Sequence, residues 1–186
     1  MSELDLTGGV EVEEGFGLPA EAETPEYESL TIIRENLDGS IDVEMDRDGD
    51  GSIDAVLHDA DGDGNPETAF YDTDGDGMVD TIHADFNDDG VVDQAMVDTN
   101  QDGLIDVVES DLNSDGRVDN IVIDANYDGR PDVMLHDSDF NGRPDVVIAD
   151  VDGDGRPDKV VRDLNYDDIP DQITYLNTET NPFAAN

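Results

Sequence analysis

Asp150, Asp152, Asp154 and Asp158 set four carboxylates at positions 1, 3, 5 and 9 of a short run, with Gly155 at position 6. Alternating acids on a chain that turns back on itself form an all-oxygen donor set, which suits a hard divalent cation. Calcium takes six to eight such oxygens, often including a backbone carbonyl at position 7, and tolerates irregular geometry. The glycine supplies the positive φ that wrapping an ion requires. Asp163 starts the same pattern again thirteen residues later.

The pattern is a tandem repeat of ten consecutive 13-residue units. Position 1 is Asp46, Asp59, Asp72, Asp85, Asp98, Asp111, Asp124, Asp137, Asp150 and Asp163. Position 3 is Asp48, Asp61, Asp74, Asn87, Asn100, Asn113, Asn126, Asp139, Asp152 and Asn165. Position 5 is Asp50, Asp63, Asp76, Asp89, Asp102, Asp115, Asp128, Asn141, Asp154 and Asp167. Position 9 is Asp54, Glu67, Asp80, Asp93, Asp106, Asp119, Asp132, Asp145, Asp158 and Asp171. Position 6 is Gly except for Asp168, so the tenth site is expected to be weak. Plain turns would account for the Asp, Asn and Gly types. They would not account for oxygen donors at the same four positions of every unit, and these forty residues are the expected metal ligands.

The elements that position these ligands follow from the remaining positions. An EF-hand needs a helix on each side of its loop, and the four residues left between one loop and the next cannot form one. Residues such as Asp145–Ala149 are rich in branched apolar types and about five long, which reads as a short strand. Pro66, Pro131, Pro144, Pro157 and Pro170 fall at position 8, where paired EF-hands use a backbone N–H that proline lacks. Each unit is therefore a calcium loop followed by one strand, with the prolines expected at the start of strands.

A 26-residue period overlies the 13-residue one. Position 13 reads Tyr71, Val97, Ile123, Ala149 and Tyr175 in even units but His58, Ala84, Ser110, His136 and Arg162 in odd ones. Position 12 admits His83 and Glu109 only in odd units. The fold expected from this is all-β: a calcium-loaded β-solenoid or parallel β-roll of ten 13-residue repeats, two repeats per 26-residue coil, with a thin core between two sheets. An antiparallel meander with loops at alternate ends has the same chemical period. One coil per unit, or a strand-poor wire wound around calcium, is the remaining option. Few apolar side chains per unit stand against the entropy of ordering thirteen residues, so calcium is expected to be part of the fold and the ion-free chain to be largely disordered.

The chain carries 51 acidic residues against 8 basic ones, a net charge of −43. Nucleic acid and anionic membranes are repelled, and cations are the natural partners. No apolar stretch suits membrane insertion, and the amino terminus lacks the basic start and apolar run of a secretory signal. There is no cysteine, so thiolate metal sites and disulfides are excluded. Residues 1–29 are acidic and aperiodic, an expected disordered tail. Residues 30–45 form a degenerate capping repeat in which Asn36, Asp38, Gly39 and Asp42 match positions 3, 5, 6 and 9. Residues 46–175 hold the ten repeats, and 176–186 form a polar tail. No nucleophile motif, phosphate loop or separate catalytic pair is present, so no enzymatic activity is expected.

The units resemble thrombospondin type 3 calcium repeats, which share the DxDxDGxxD core and a calcium-dependent fold. Those repeats carry cysteines and further acids where this chain has apolar positions. The stretches DGRPDVM (128–134), NGRPDVV (141–147) and DGRPDKV (154–160) are similar to the calcium hairpins of integrin and VCBS/FG-GAP propellers, whose blades need more strands than this spacing allows. The resemblance implies calcium and a loop shape. The function expected is a structural or adhesive module that folds on calcium, extracellular or at a cell surface, with an unidentified protein or surface partner. A calcium buffer or mineral-binding acidic protein, and a calcium-gated interaction module, are the alternatives.

Overall fold

The computed structural model describes residues 29–182. Nearly all of the expected acidic tail and the last four residues of the polar tail lie outside them. Twelve strands follow one another: β1 (Leu30–Glu35), β2 (Ile41–Asp46), β3 (Ala55–Asp59), β4 (Thr68–Tyr71), β5 (Thr81–Ala84), β6 (Gln94–Val97), β7 (Val107–Ser110), β8 (Asn120–Ile123), β9 (Val133–His136), β10 (Val146–Ala149), β11 (Lys159–Arg162) and β12 (Gln172–Tyr175). They form one open sheet in chain order, each strand antiparallel to the next, as in β3 with β4 and β10 with β11.

The all-β reading holds, but the expected β-solenoid or parallel β-roll does not form. The physical reason lies at position 9. Its N–H donates across the loop to the carbonyl of the residue just before position 1: Asp54 to Met45 at 2.8 Å, Asp80 to Tyr71 at 2.8 Å and Asp106 to Val97 at 2.9 Å. That bond, made in nine of the ten loops, closes them as hairpins in which the departing strand pairs with the arriving one, and β3 and β4 pair the same way around the second loop. Consecutive loops therefore fall on opposite edges, and loops on one edge are 26 residues apart. A second bond joins them: the position-1 N–H donates to the position-9 carbonyl two units earlier, Asp72 to Asp54 at 2.9 Å and Asp98 to Asp80 at 2.8 Å. The sheet ladder thus runs on into both rows of loops.

Among the described residues no core lies between two sheets, because strands touch only their sequence neighbours. The 26-residue period instead records the two faces of one sheet. The register places position 11 opposite position 12 of the next unit, as in Val56↔Phe70 and Ile82↔Met96. One face accordingly carries an unbroken apolar row, Val56, Phe70, Ile82, Met96, Val108, Val122, Met134, Ile148 and Val160. On the other face the equivalent row is interrupted by His83 and Glu109. Tyr71 and His83 share that second face, their rings edge to face at 5.3 Å. The five position-8 prolines do not start strands as expected but end their loops two residues ahead of the strand: Pro66 precedes β4 and Pro144 precedes β10.

The two ends of the ribbon are covered locally. The turn joining β1 to β2 is built by Asn36 and Ser40, the Asn36 N–H donating to the Ser40 carbonyl at 2.8 Å. It seats on the second loop, where a Cβ placed on Gly62 would lie 2.7 Å from the Gly39 carbonyl oxygen. At the other end the Leu176 N–H takes the place of a position-1 donor, bonding the Asp158 carbonyl at 2.6 Å. Asn177 Nδ2 reaches the Asp152 carboxylate at 3.2 Å.

Gly62 and Gly75 separate contact from backbone strain, because their φ values are +77° and +78° and only Gly62 has a neighbour close by. Gly75→Ala should cost only the left-handed penalty of about 1–2 kcal/mol. Gly62→Ala should cost about 1–3 kcal/mol more by displacing the first turn. Urea unfolding of both variants in millimolar calcium checks the difference.

Candidate metal centres

Each loop is organised by its own backbone N–H groups. The position-1 carboxylate accepts from position 6 on one oxygen (Gly51 to Asp46 at 3.0 Å, Gly116 to Asp111 at 2.6 Å). Its other oxygen commonly accepts from position 4 (Gly49 to Asp46 at 2.6 Å, Gln101 to Asp98 at 2.7 Å). Position 3 accepts from position 5, and position 5 from position 7, as in Asp50 to Asp48 at 3.1 Å and Ser52 to Asp50 at 2.7 Å. The position-9 carboxylate accepts from the position-2 N–H, as in Phe86 to Asp93 at 2.8 Å. These bonds fix where each carboxylate points and leave it further lone pairs.

The carboxylates are also the driest part of the molecule. Asp137 and Asp158 are 1% exposed, and Asp46, Asp59, Asp80, Asp98, Asp106 and Asp119 are buried, whereas among the described residues the buried apolar side chains are Ala55, Ala84 and Val160 alone. Among the described residues the ion pairs are Arg34–Glu44, His58–Asp42 and Arg143–Asp168, and none of them uses a repeat ligand. Rows of aspartates are thus desolvated with N–H donors but no cationic side chain.

Several loops already bring ligand oxygens together. Asp46, Asp48 and Asp50 offer oxygens within 4.8 Å of one another, as do Asp59, Asp61 and Glu67, Asp72, Asp74 and Asp80, and Asp137, Asp139 and Asp145. An ion with oxygen ligands at 2.3–2.6 Å spans about 5 Å across, so these groups fit calcium without large movement. In loops with Asn at position 3, the amide nitrogen bonds the acids instead: Asn87 to Asp93 at 3.3 Å, Asn100 to Asp102 at 3.1 Å and Asn126 to Asp132 at 3.1 Å. A half-turn of the amide would present its oxygen to an ion there. In the tenth loop the Asp168 N–H still donates to Asp163 at 2.7 Å, and Arg143 takes the Asp168 carboxylate.

Comparison with protein-family models, curated proteins and solved structures gives no match. The chemistry of the loops therefore has to be read from their geometry.

Position 6 has the positive φ expected of it, from +83° at Gly90 to +102° at Gly64, and Asp168 adopts +66°. Position 4 is left-handed as well, which the sequence did not disclose. Gly49, Gly62, Gly75 and Gly153 sit there, but so do Asp88, Gln101, Ser114, Tyr127, Phe140 and Tyr166, at φ of +57° to +62°. With six of ten residues not glycine, the residue types carried no signal. Hydroxyls at position 2 were also missed. Thr73 Oγ1 donates to Asp80 at 2.5 Å and Thr99 Oγ1 to Asp106 at 2.7 Å. The bonds from Thr73 hold the Asp80 carboxyl below the usual range. Desolvation and then the nearby charges of Asp63, Asp61, Glu67 and Asp85 push Asp88 up.

His58 lies outside the ligand set and bonds Asp42 through Nδ1 at 2.7 Å. That bond raises its pKa above the ordinary 6.5, so protonation is favoured in the fold. The stability it adds is present below about pH 6.5 and lost as pH rises through the raised value. Proton NMR should place the His58 midpoint above 6.5, and Asp42→Asn should bring it down.

Proposed function

We propose that the ten loops bind calcium and that the bound ions hold the ribbon together, making the chain a calcium-stiffened structural or adhesive module. The observation that carries this reading is the inverted burial. Two rows of desolvated carboxylates line the edges of a sheet that has no second layer among the described residues to stabilise it. Buried charge is tolerated when it is paired or coordinates a metal, and basic side chains are too few to do the pairing. The donors are all oxygen, which suits calcium or magnesium over softer metals. The irregular, carboxylate-rich loops favour calcium, since magnesium demands near-octahedral geometry and keeps its waters.

The bonds between loops favour a stiffener over a buffer. The position-1 N–H and position-9 carbonyl that join successive loops of one edge belong to the same residues that supply ligands. Ordering one loop therefore helps to order the next. Along one edge, loops are about 9.6 Å apart, close to one Debye length at 0.1 M salt. Each bound ion thus relieves repulsion at its neighbours as well as in its own loop. The likeness to thrombospondin type 3 repeats lends the same direction to the reading. Millimolar free calcium, as found outside cells, is the setting in which such a module would stay loaded.

Small-angle scattering with and without chelator tests this. The ion-free chain should approach a radius of gyration of about 46 Å. Millimolar calcium should contract it to less than half of that, since a ribbon whose first and last strands lie about 53 Å apart has a radius of gyration of about 15 Å along its length. An unchanged radius together with calcium binding by calorimetry would make the protein a buffer. No binding at all would remove calcium from the account.

A further inference from the structure

In several loops position 4 faces the candidate ligand group of the preceding loop on the same edge. Ser114, at position 4 of the sixth unit, donates from Oγ to Asp93 at 2.9 Å and accepts from Asn87 Nδ2 at 2.9 Å, both in the fourth unit. A Cβ on Gly153 of the ninth unit would lie 3.4 Å from Asn126 Nδ2 of the seventh. Asp88 holds this place over the second loop, and it is the only acid at position 4. Asp61, Asp63 and Asp88 offer oxygens within 4.8 Å of one another, and Asp61 also belongs to the group with Asp59 and Glu67.

A second observation marks the spot as more than a cluster of acids. Asp88 Oδ1 is fully buried, and among the described residues it is the buried side-chain polar atom with no hydrogen-bond partner. A carboxylate oxygen removed from water and denied a donor is costly. The carboxylate that carries it stands beside Asp61 and Asp63 of another loop, and carboxylates that are themselves negative and acceptor-only cannot supply the missing donor. A cation satisfies all three groups at once.

We propose that Asp88 is a ligand of the ion held by the second loop, which becomes a two-loop site of five carboxylates: Asp59, Asp61, Asp63, Glu67 and Asp88. The proposal rests on the calcium reading above and deepens it. The extra charge makes this the tightest site of the chain, because ligand charge count is a main determinant of calcium affinity. The ion also ties the second loop to the fourth, adding a metal bond to the ladder bond between them, Asp85 N–H to Glu67 carbonyl at 2.9 Å.

The test uses the full, calcium-loaded chain, with free calcium lowered by chelator and each loop followed by amide NMR. Gly64 reports the second loop through its bond to Asp59, and Gly142 reports the eighth through its bond to Asp137. In the wild type Gly64 should hold its loaded position to lower free calcium than Gly142. Asp88→Gly keeps the left-handed backbone that Gly62 and Gly75 adopt at the same position, so it removes the ligand without straining the loop. It should raise the Gly64 midpoint at least about tenfold and move Gly142 less than about twofold. Asp88→Asn, which keeps an oxygen but loses the charge, should fall between. If the loops respond to calcium but Gly64 is unmoved by Asp88→Gly, Asp88 is no ligand while the calcium reading stands. An equal shift at Gly64 and Gly142 would assign Asp88 to folding and overturn the proposal. If no wild-type amide responds to calcium, the calcium reading falls and this site with it.

Discussion

A carboxylate taken out of water needs its lone pairs filled, and this chain must meet that need at the same places in ten successive units. Backbone N–H groups meet part of it. The loops curl through two left-handed residues, at positions 4 and 6, so that their amides converge on the position-1 aspartate. The rest of the structure follows from that curl. It turns the chain back on itself, brings the position-9 N–H to the carbonyl ahead of position 1, and commits each strand to its sequence neighbour. What N–H groups cannot supply is net positive charge, and among the described residues no arginine forms an ion pair with a carboxylate at positions 1, 3, 5 or 9 of the ten units. Arg143, for example, is occupied with Asp168 rather than with any repeat ligand.

The apolar side chains play a smaller part than in an ordinary domain. Columns such as Val56, Phe70, Ile82 and Met96 pack beside one another along one face, but only Val160 in their row is truly buried. Cross-strand contacts of this kind contribute modestly per pair. They serve mainly to fix register, since a one-residue slip would exchange the unbroken row with the one containing His83 and Glu109. The fold is one-dimensional, so its stability is a sum of neighbour terms in which each loop with its strand is one increment.

How much of this could be read from the sequence depended on whether side chains or backbone did the work. The clusters of acidic oxygens were legible because Asp and Asn recur at fixed positions, with Gly among them. The strands were legible from their branched residues. The pairing was not. A 13-residue repeat with a 26-residue overtone reads the same whether alternate units share one side of a coil or one edge of a meander. The deciding bond is made by the N–H of Asp54, Asp80 and their equivalents, which any residue but proline could donate. The contrast between Tyr71 and His58 at position 13 was visible, yet it marks two faces of one sheet rather than two sheets. Asp88 escaped notice for a related reason, because its neighbours in space, Asp61 and Asp63, lie 27 and 25 residues away in sequence.

Strand contacts confined to sequence neighbours also determine how the molecule would yield under load. The two ends of the described chain leave from opposite ends of the ribbon, at β1 and β12, so tension between them acts on the terminal hairpins before any interior one. The sheet would open as a zipper does, one unit at a time. Each opening would pay out about 40 Å of slack chain and expose one set of ligands. Because a freed unit is a short, locally closed loop, it could reseat without waiting for the rest. A chain of such units would lengthen in discrete steps under a pull and shorten again when the pull ceased, and under the calcium reading proposed above the calcium concentration would set the force at which each step occurs.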